Sequence, residues 1–239
     1  MPILSLQSVS KSFGALKVTD DVSFDLAKGE ALGIIGPNGA GKSTLFNLIA
    51  GNLKPNQGRV FLDGRDVSDQ STMQRCASGI GRSFQIPQPF AHLTVYENLL
   101  VAARFGGAIS GHDAPGFCME ILGRTGLGAQ ADKVSGGLPL LQRKRLELAR
   151  AMATAPRVIL LDEIAGGLTE GECHELVATI RQIHAEGTAI IWIEHVLHAL
   201  NSVVERLMVL NFGKMLMIGA PDKVMASPEV REIYLGIEA

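Results

Sequence analysis

A glycine-rich segment ending in lysine and serine is the part of the sequence with the clearest chemistry. Its residues are Gly36, Pro37, Asn38, Gly39, Ala40, Gly41, Lys42 and Ser43. Glycines let the main chain turn its N–H groups inward, so that they and the N-terminus of a following helix surround a phosphate chain. The pattern G-x-x-x-x-G-K-[ST] assigns the Lys42 ammonium to phosphates and the Ser43 hydroxyl to Mg²⁺. A glycine-rich turn with a chance lysine is the alternative, and an apolar strand before it and a helix after it disfavour that alternative.

Two adjacent carboxylates, Asp162 and Glu163, form the second chemical feature. They follow the apolar run 158–161, which places them at the C-terminal tip of a strand, where open α/β sheets bind ligands. There Asp162 is expected to bind Mg²⁺ through water, and Glu163 to orient an attacking water or accept its proton. A solvated acidic turn is the alternative. It is disfavoured because the pair ends a buried strand in a chain that also carries a phosphate loop.

Strands and helices predicted from periodicity position these residues. The apolar runs 158–161 and 189–193 suit strands buried on both faces, and the helical segment 171–185 between them implies a βαβ unit in a parallel sheet. A helix over 43–50 follows the glycine-rich loop and stops at Gly51, a typical C-terminal signal. The loop and the carboxylates are thus both predicted at strand ends.

The remaining elements predict an N-terminal β region, a helical insertion and a terminal hairpin. Further strands are predicted over residues 4–9, 22–26, 30–35, 59–62, 207–210 and 215–218. Helical periodicity dominates residues 92–150, where glycines such as Gly111 interrupt it, and short helices begin near Pro221 and Pro228. We therefore expect a core with one helical subdomain inserted into it.

Three further residues make a resemblance specific through their order along the chain. Phe13 precedes the phosphate loop, Gln85 lies between the first strands and the helical insertion, and His195 follows the apolar run 189–193. With these residues the chain resembles the nucleotide-binding domain of ABC transporters over nearly its whole length. The resemblance implies that Phe13 stacks on adenine, although a core phenylalanine is the alternative. It also implies that Gln85 touches Mg²⁺ and the attacking water, and that His195 hydrogen-bonds the γ-phosphate.

The resemblance also implies a fold class, a division of the chain and two cofactors. The fold is α/β, a P-loop NTPase of the ABC nucleotide-binding type, with a mixed sheet core, an inserted helical subdomain and an N-terminal antiparallel β region. Residues 1–239 form one ATP-binding domain, with a core of 1–90 and 151–239 and a helical subdomain of about 91–150. The cofactors are ATP and Mg²⁺. The expected catalytic residues are Glu163, His195, Gln85 and Lys42. The expected nucleotide-binding residues are Phe13, Gly36, Asn38, Gly39, Ala40, Gly41, Lys42, Ser43 and Thr44. The expected Mg²⁺ ligands are Ser43, Gln85 and Asp162.

Three stretches, 81–85, 93–100 and 234–236, resemble the ATPases of importers for branched-chain and related hydrophobic amino acids. That resemblance implies ATP hydrolysis coupled to transport beneath permease subunits, with a periplasmic binding protein as an indirect partner. The second ATPase is a paralogue in a heterodimer or a second copy of this chain in a homodimer. The alternatives are an ABC ATPase not coupled to transport and a regulatory subunit with weak hydrolysis. The transported solute stays open.

The family's signature segment departs from its usual form, Leu-Ser-Gly-Gly-Gln. Residues 138–142 lie in register, eight residues before Arg150, but read Leu-Pro-Leu-Leu-Gln. Ser135, Gly136 and Gly137 look more like the signature but lie three residues too early, so we interpret them as a decoy, with the assignment left open. In the family this segment reaches across a dimer to the partner's γ-phosphate. Pro139 has no N–H and no hydroxyl, so we expect two unequal sites. Ile164 and the loop 165–169 also differ from the family's pattern.

Composition and sequence patterns disfavour several other classes of protein. The net charge of −2 and the pI near 6.3 give little support to nucleic-acid binding. No apolar run approaches the roughly 20 residues that span a bilayer, and the N-terminus lacks a signal peptide. We therefore expect a cytoplasmic protein, and the family resemblance implies that it lies peripherally on the inner face of the membrane. Cys76, Cys118 and Cys173 are scattered thiols without a disulfide or metal pattern. The sequence has no Asn-Lys-x-Asp motif for binding guanine, which disfavours a P-loop kinase or GTPase.

Overall fold

The computed structural model describes residues 1–107 and 113–235. The predicted interruption at Gly111 and the last residue of the stretch 234–236 lie outside that part of the chain. The strands are β1 (Leu4–Phe13), β2 (Leu16–Leu26), β3 (Ala31–Ile35), β4 (Gln57–Leu62), β5 (Arg65–Asp66), β6 (Ile80–Arg82), β7 (Val158–Asp162), β8 (Ala189–Ile193), β9 (Arg206–Asn211) and β10 (Lys214–Gly219). The helices are α1 (Lys42–Ala50), α2 (Thr72–Ala77), α3 (Val95–Phe105), α4 (Asp113–Arg124), α5 (Leu140–Ala153), α6 (Glu170–Ala185), α7 (Leu197–Asn201), α8 (Pro221–Ala226) and α9 (Pro228–Leu235).

The strands form two sheets. The smaller sheet has the order β2-β1-β4-β5 and is antiparallel throughout. The larger sheet has the order β10-β9-β3-β8-β7-β6; all its pairings are parallel except that of β9 with β10. The expected N-terminal antiparallel region and mixed sheet are therefore confirmed. Helices α3, α4 and α5 are inserted between the sheet strands β6 and β7.

The three central strands of the larger sheet are buried on both faces. Every residue of β3, β7 and β8 is buried. Their side chains alternate between two apolar clusters, so that Trp192 packs into one and Ile191 and Ile193 pack into the other. Because neither face meets water, continuous runs of β-branched and aliphatic residues are stable there. This burial fixes the strand ends that carry the candidate site.

Local sequence signals set the helix ends that matter for the site. Helix α1 begins after Gly41 and ends at Gly51, both of which have positive φ, so the predicted helix and its C-terminal signal are confirmed. Thr94 and Thr169 begin α3 and α6 with capping boxes, in which the threonine hydroxyl accepts an N–H and a glutamate three residues later bonds back. Helix α5 begins at Leu140, with Pro139 at the N-cap.

Several short elements were not predicted from the sequence. Strand β6 has three residues, one of them Gly81, and pairs with β7 at the edge of the large sheet. Helices α2 and α7 have six and five residues, too few for periodicity to show. Strand β1 extends beyond the predicted residues 4–9 to Phe13, so this residue lies in the hairpin that β1 forms with β2. Within the described residues, no helix combines the length and apolar character needed to cross a membrane.

Candidate functional site

The glycine-rich loop joins β3 to α1 and depends on two close backbone approaches. Gly36 has φ +155°, and a Cβ on it would lie 2.2 Å from the carbonyl oxygen of Leu210. Gly41 has φ +98°, and a Cβ on it would lie 2.4 Å from the carbonyl oxygen of Val18. No side chain fits at either distance, so the loop can hold this path only with glycine. The tight path leaves a cradle of main-chain groups at the N-terminus of α1, as phosphate binding requires.

The ammonium of Lys42 is buried inside the loop. Its Nζ donates hydrogen bonds to the carbonyl oxygens of Gly36 at 2.7 Å and Pro37 at 3.1 Å. Burial lowers the pKa of Lys42, and the carboxylates of Glu163 and Asp162 partly offset that shift. Beside the loop lies a cavity of about 210 Å³, lined by Val18, Asn38, Gly39, Ala40, Gly41, Lys42, Ser43, Thr44 and Glu163. The cavity thus brings the predicted loop residues and the predicted base to one place.

Glu163 contacts two other predicted site residues, Gln85 and His195. It follows the last residue of β7 and has φ +46°, a left-handed backbone conformation that is uncommon for residues other than glycine. Its Oε2 accepts a hydrogen bond from Gln85 Nε2 at 2.6 Å, and its Oε1 lies 2.9 Å from His195 Nε2. Gln85, Glu163 and His195 therefore form one hydrogen-bonded cluster. A carboxylate that also lines the cavity can act there on a water beside a phosphate.

Asp162 is held by a residue that we did not predict. Its Oδ2 accepts a hydrogen bond from Arg82 Nη2 at 3.0 Å. The same guanidinium donates to Asn47 Oδ1 at 2.6 Å and lies over the rings of Phe46 and Phe84, 5.8 and 5.1 Å from their centroids. Burial raises the pKa of the Asp162 carboxyl, and the hydrogen bond from Arg82 lowers it in part. Arg82 lies in the stretch 81–85, which signalled only a subgroup resemblance, so its pairing could not be read from the sequence.

The oxygen atoms at the site fit Mg²⁺ only in combination with phosphate. Ser43 is exposed at the first turn of α1, and Asp162 and Gln85 each retain an oxygen that the contacts above do not use. Mg²⁺ prefers such oxygen ligands and is usually held by one or two protein groups together with substrate phosphates. Among residues 1–107 and 113–235, no group of three His, Cys, Asp or Glu side chains could hold a metal by itself. The oxygen atoms of Ser43, Asp162 and Gln85 therefore fit a metal ion that also has phosphate ligands.

Phe13 lies at the tip of the β1–β2 hairpin, outside the atoms that line the cavity. Phe13 is 49 % exposed, which excludes the alternative of a core phenylalanine. The ammonium of Lys11 lies 5.6 Å from the ring centroid. Val18 on β2 lines the cavity, so the hairpin that carries Phe13 reaches the loop. Stacking on a base stays a prediction.

The two candidate signature segments differ in what their polar groups do. The Ser135 hydroxyl is buried, donates to the Phe90 carbonyl oxygen at 2.9 Å and accepts from Asn98 Nδ2 at 3.2 Å. It is thus used inside the helical insertion. By contrast, Pro139 and Leu140 are exposed at the start of α5. This placement supports residues 138–142 as the segment in register and Ser135 as part of a decoy.

The loop after Glu163 turns inward before it reaches α6. Ile164 and Ala165 are buried, and Thr169 caps α6. Gly167 lies close to the start of α5, because a Cβ on it would be 3.3 Å from Leu140 Cδ2. The loop 165–169 therefore lies beside the segment 138–142, on the same side of the molecule.

Fold and site together define an α/β nucleotide hydrolase of the P-loop class. The profile of the ABC transporter family matches residues 19–166. The chain is 33 % identical to a probable branched-chain amino acid transport ATP-binding protein, LivG, of Methanocaldococcus jannaschii, over 99 % of this chain and 98 % of that protein. It is 31 % identical to the lipopolysaccharide export system ATP-binding protein LptB of Haemophilus influenzae, with the same two coverages. The crystal structure of the ADP conformation of an ABC transporter ATP-binding cassette superposes with a TM-score of 0.91 at 33 % identity, covering 99 % of this chain and 100 % of that one. This chain belongs to the ABC transporter family and is an ATP-binding, ATP-hydrolysing subunit of the kind found in that family.

Proposed function

We propose that this ATPase energises an ABC importer for branched-chain or related hydrophobic amino acids. The observation that carries the hydrolytic part is the cluster at Glu163, where Gln85 Nε2 and His195 Nε2 meet one carboxylate beside the phosphate cradle. The similarity to LivG over nearly the whole chain supports the solute class. The nearly equal similarity to LptB makes lipid export the second candidate.

In the proposed binding mode the triphosphate lies in the cradle and Phe13 stacks on the adenine. Lys42 leaves the carbonyl oxygens of Gly36 and Pro37 for the β- and γ-phosphates, which accept a charge-assisted hydrogen bond worth about 1.5–3 kcal/mol. The main-chain N–H groups of Asn38, Gly39, Ala40 and Gly41 and the groups of Ser43 and Thr44 surround the same phosphates. Ser43, Gln85 and Asp162 are the proposed Mg²⁺ ligands, and Mg²⁺ bound with ATP would neutralise phosphate charge.

In the proposed hydrolytic step Glu163 orients a water or accepts its proton. This role suits its place, since its carboxylate both lines the cavity and accepts from Gln85. His195 then exchanges its contact with Glu163 for the γ-phosphate, and Gln85 contacts the water and would also ligate Mg²⁺. Glu163 and Gln85 are already in contact beside the cradle, so these two side chains are preorganised before the nucleotide binds.

The proposed assembly follows the family. The ATPase lies on the cytoplasmic face of the membrane under two permease subunits and pairs with a second ATPase, a paralogue or another copy. A periplasmic binding protein delivers the solute. We propose residues 91–150 as the helical subdomain and 1–90 and 151–239 as the core, since α3, α4 and α5 are inserted between β6 and β7. Copurification with membrane subunits separates this assembly from an ATPase not coupled to transport.

A transport assay in the host tests the proposal. The gene is deleted, and uptake of radiolabelled leucine, isoleucine and valine is measured with complementation by the parent gene or by Glu163→Gln. Uptake that is lost on deletion and restored only by the parent gene supports an amino acid importer. Unchanged amino acid uptake together with loss of lipopolysaccharide at the cell surface would move the chain to the export class. No change in either would remove the transport assignment.

A further inference from the structure

A buried lysine lies directly behind the cluster at Glu163. Lys144 is on α5 and is only 4 % exposed. Its Nζ donates to the main-chain carbonyl oxygen of Gln85 at 2.7 Å and to that of Glu163 at 3.3 Å. One ammonium thus joins the main chain at Gln85 to the main chain at Glu163, and the side chains of these two residues are hydrogen-bonded to each other at 2.6 Å. The spacing of residues 144, 148 and 151 on the buried face of α5 is the feature of the sequence that indicates a buried Lys144.

A buried glutamate makes complementary contacts with the main chain around the same cluster. Glu194 is 1 % exposed and follows β8 directly. Its Oε2 accepts from the N–H of Ala165 at 3.0 Å, and its Oε1 accepts from the N–H of His195 at 3.0 Å and of Val196 at 3.5 Å. One carboxylate therefore joins the loop after Glu163 to the loop that carries His195.

The carboxylate of Glu194 offsets part of the cost of burying the Lys144 ammonium. Burial lowers the pKa of Lys144, and carboxylates oppose that shift, that of Glu194 most strongly and then those of Glu163, Glu147 and Asp162. A charge buried this deeply costs several kcal/mol unless it is hydrogen-bonded and compensated by an opposite charge. An apolar pair of similar volume would fill the same space without that cost. All hydrogen bonds of these two ions go to the loops of the site, so we infer that the ions have a role at the site.

We propose that Lys144 and Glu194 are positioning residues for ATP hydrolysis, which fix the backbones of Gln85, Glu163 and His195 so that their side chains converge. Neither ion lines the cavity beside the phosphate loop, so both act through the residues they hold. The inference rests on the proposed role of Glu163. It adds two residues to the working site and predicts that losing either one lowers the rate of hydrolysis while leaving the phosphate cradle intact.

The test compares Lys144→Met with Arg145→Met in the full chain assembled with its copurified partner subunits. Methionine keeps much of the volume of the lysine stem and removes its donors. Arg145 is the matched control, because it is the next cation on α5 and its Nη2 pairs at 2.7 Å with Glu175, outside the site. For each variant, kcat, KM, the affinity for a fluorescent ATP analogue and the melting temperature are measured.

We expect kcat of Lys144→Met to fall about 10- to 100-fold, the range that a displacement of roughly 1 Å at a reacting group produces. Analogue affinity should stay within about twofold, because the loop 36–43 is untouched. Arg145→Met should keep its kcat even if its melting temperature falls. A kcat for Lys144→Met within about twofold of the parent, or a loss matched by Arg145→Met, would overturn the proposal.

Glu194→Gln provides a second variant, which decides the question if Lys144→Met does not fold. It keeps the shape but turns one acceptor oxygen into a donor that faces a main-chain N–H, so we expect the same loss of kcat with unchanged analogue affinity. Full activity in Glu194→Gln would contradict the inference. Glu163→Gln is measured beside these variants. If it retains full turnover, the proposed role of Glu163 fails, whereas its inactivity together with active Lys144 and Glu194 variants would refute only the positioning role.

Discussion

The start of α5 should make the ATPase activity of the isolated chain low. In the dimer that the family implies, residues 138–142 of one chain face the γ-phosphate bound by the other. Pro139 lacks both an N–H and a hydroxyl, and Leu140 is 42 % exposed where the family has a small residue. A homodimer would close both of its sites with these residues. We expect it to bind ATP but to hydrolyse it slowly.

The perturbation is Pro139→Ser combined with Leu140→Gly, which restores a hydroxyl and removes the exposed side chain. One preorganised donor aimed at developing charge is worth on the order of 100-fold in rate or more, so turnover should rise by about that factor. The stability terms nearly cancel, because serine is a favoured N-cap worth about 1 kcal/mol and glycine in the first turn costs about 1 kcal/mol. Leu141 is left in place because it packs against the apolar core.

The assay is phosphate release by the purified chain in Mg²⁺ and ATP, with melting temperature as a check on folding. Ser135→Ala is the matched control. It should lower stability by about 1–3 kcal/mol, since Ser135 donates and accepts inside the helical insertion, while turnover stays within about twofold. Brisk hydrolysis by the unmodified chain, or no increase in the double variant, would refute the reasoning. Loss of turnover in Ser135→Ala would instead make residues 135–137 the working signature.

Lys42→Ala should bind ATP much more weakly than the parent in a titration, because it removes the loop's buried charge; unchanged affinity would contradict the assignment. Glu163→Gln should keep ATP binding and lose most turnover, leaving a long-lived ATP-bound dimer detectable by gel filtration; undiminished hydrolysis would move the base elsewhere. Gly36→Ala should destabilise the fold by more than about 2 kcal/mol, because its Cβ would lie 2.2 Å from the Leu210 carbonyl oxygen. Gly64→Ala is the control in thermal melts, since Gly64 also has positive φ but has open space around the added Cβ; equal losses would show that the close approach does not matter.

The sequence alone determined the parts of the site that are contiguous in the chain. The phosphate loop was predictable because its geometry is local: glycines within 36–43 turn the backbone, and the helix that follows begins at Lys42. The buried strands β7 and β8 were predictable because continuous apolar runs have few other folded environments. Their ends placed Glu163 and His195 at strand tips, and the family resemblance supplied their order.

Only the tertiary structure decided which groups meet. Gln85 and His195 reach Glu163 across sequence separations of 78 and 32 residues, and no local pattern encodes such a distance. The buried ions Lys144 and Glu194 were missed for a related reason: a charged residue is most often solvated, and its burial follows from what packs around it. Periodicity reports which face of an element is apolar, whereas the partners of a polar side chain are set when the sheet and the inserted helices pack together.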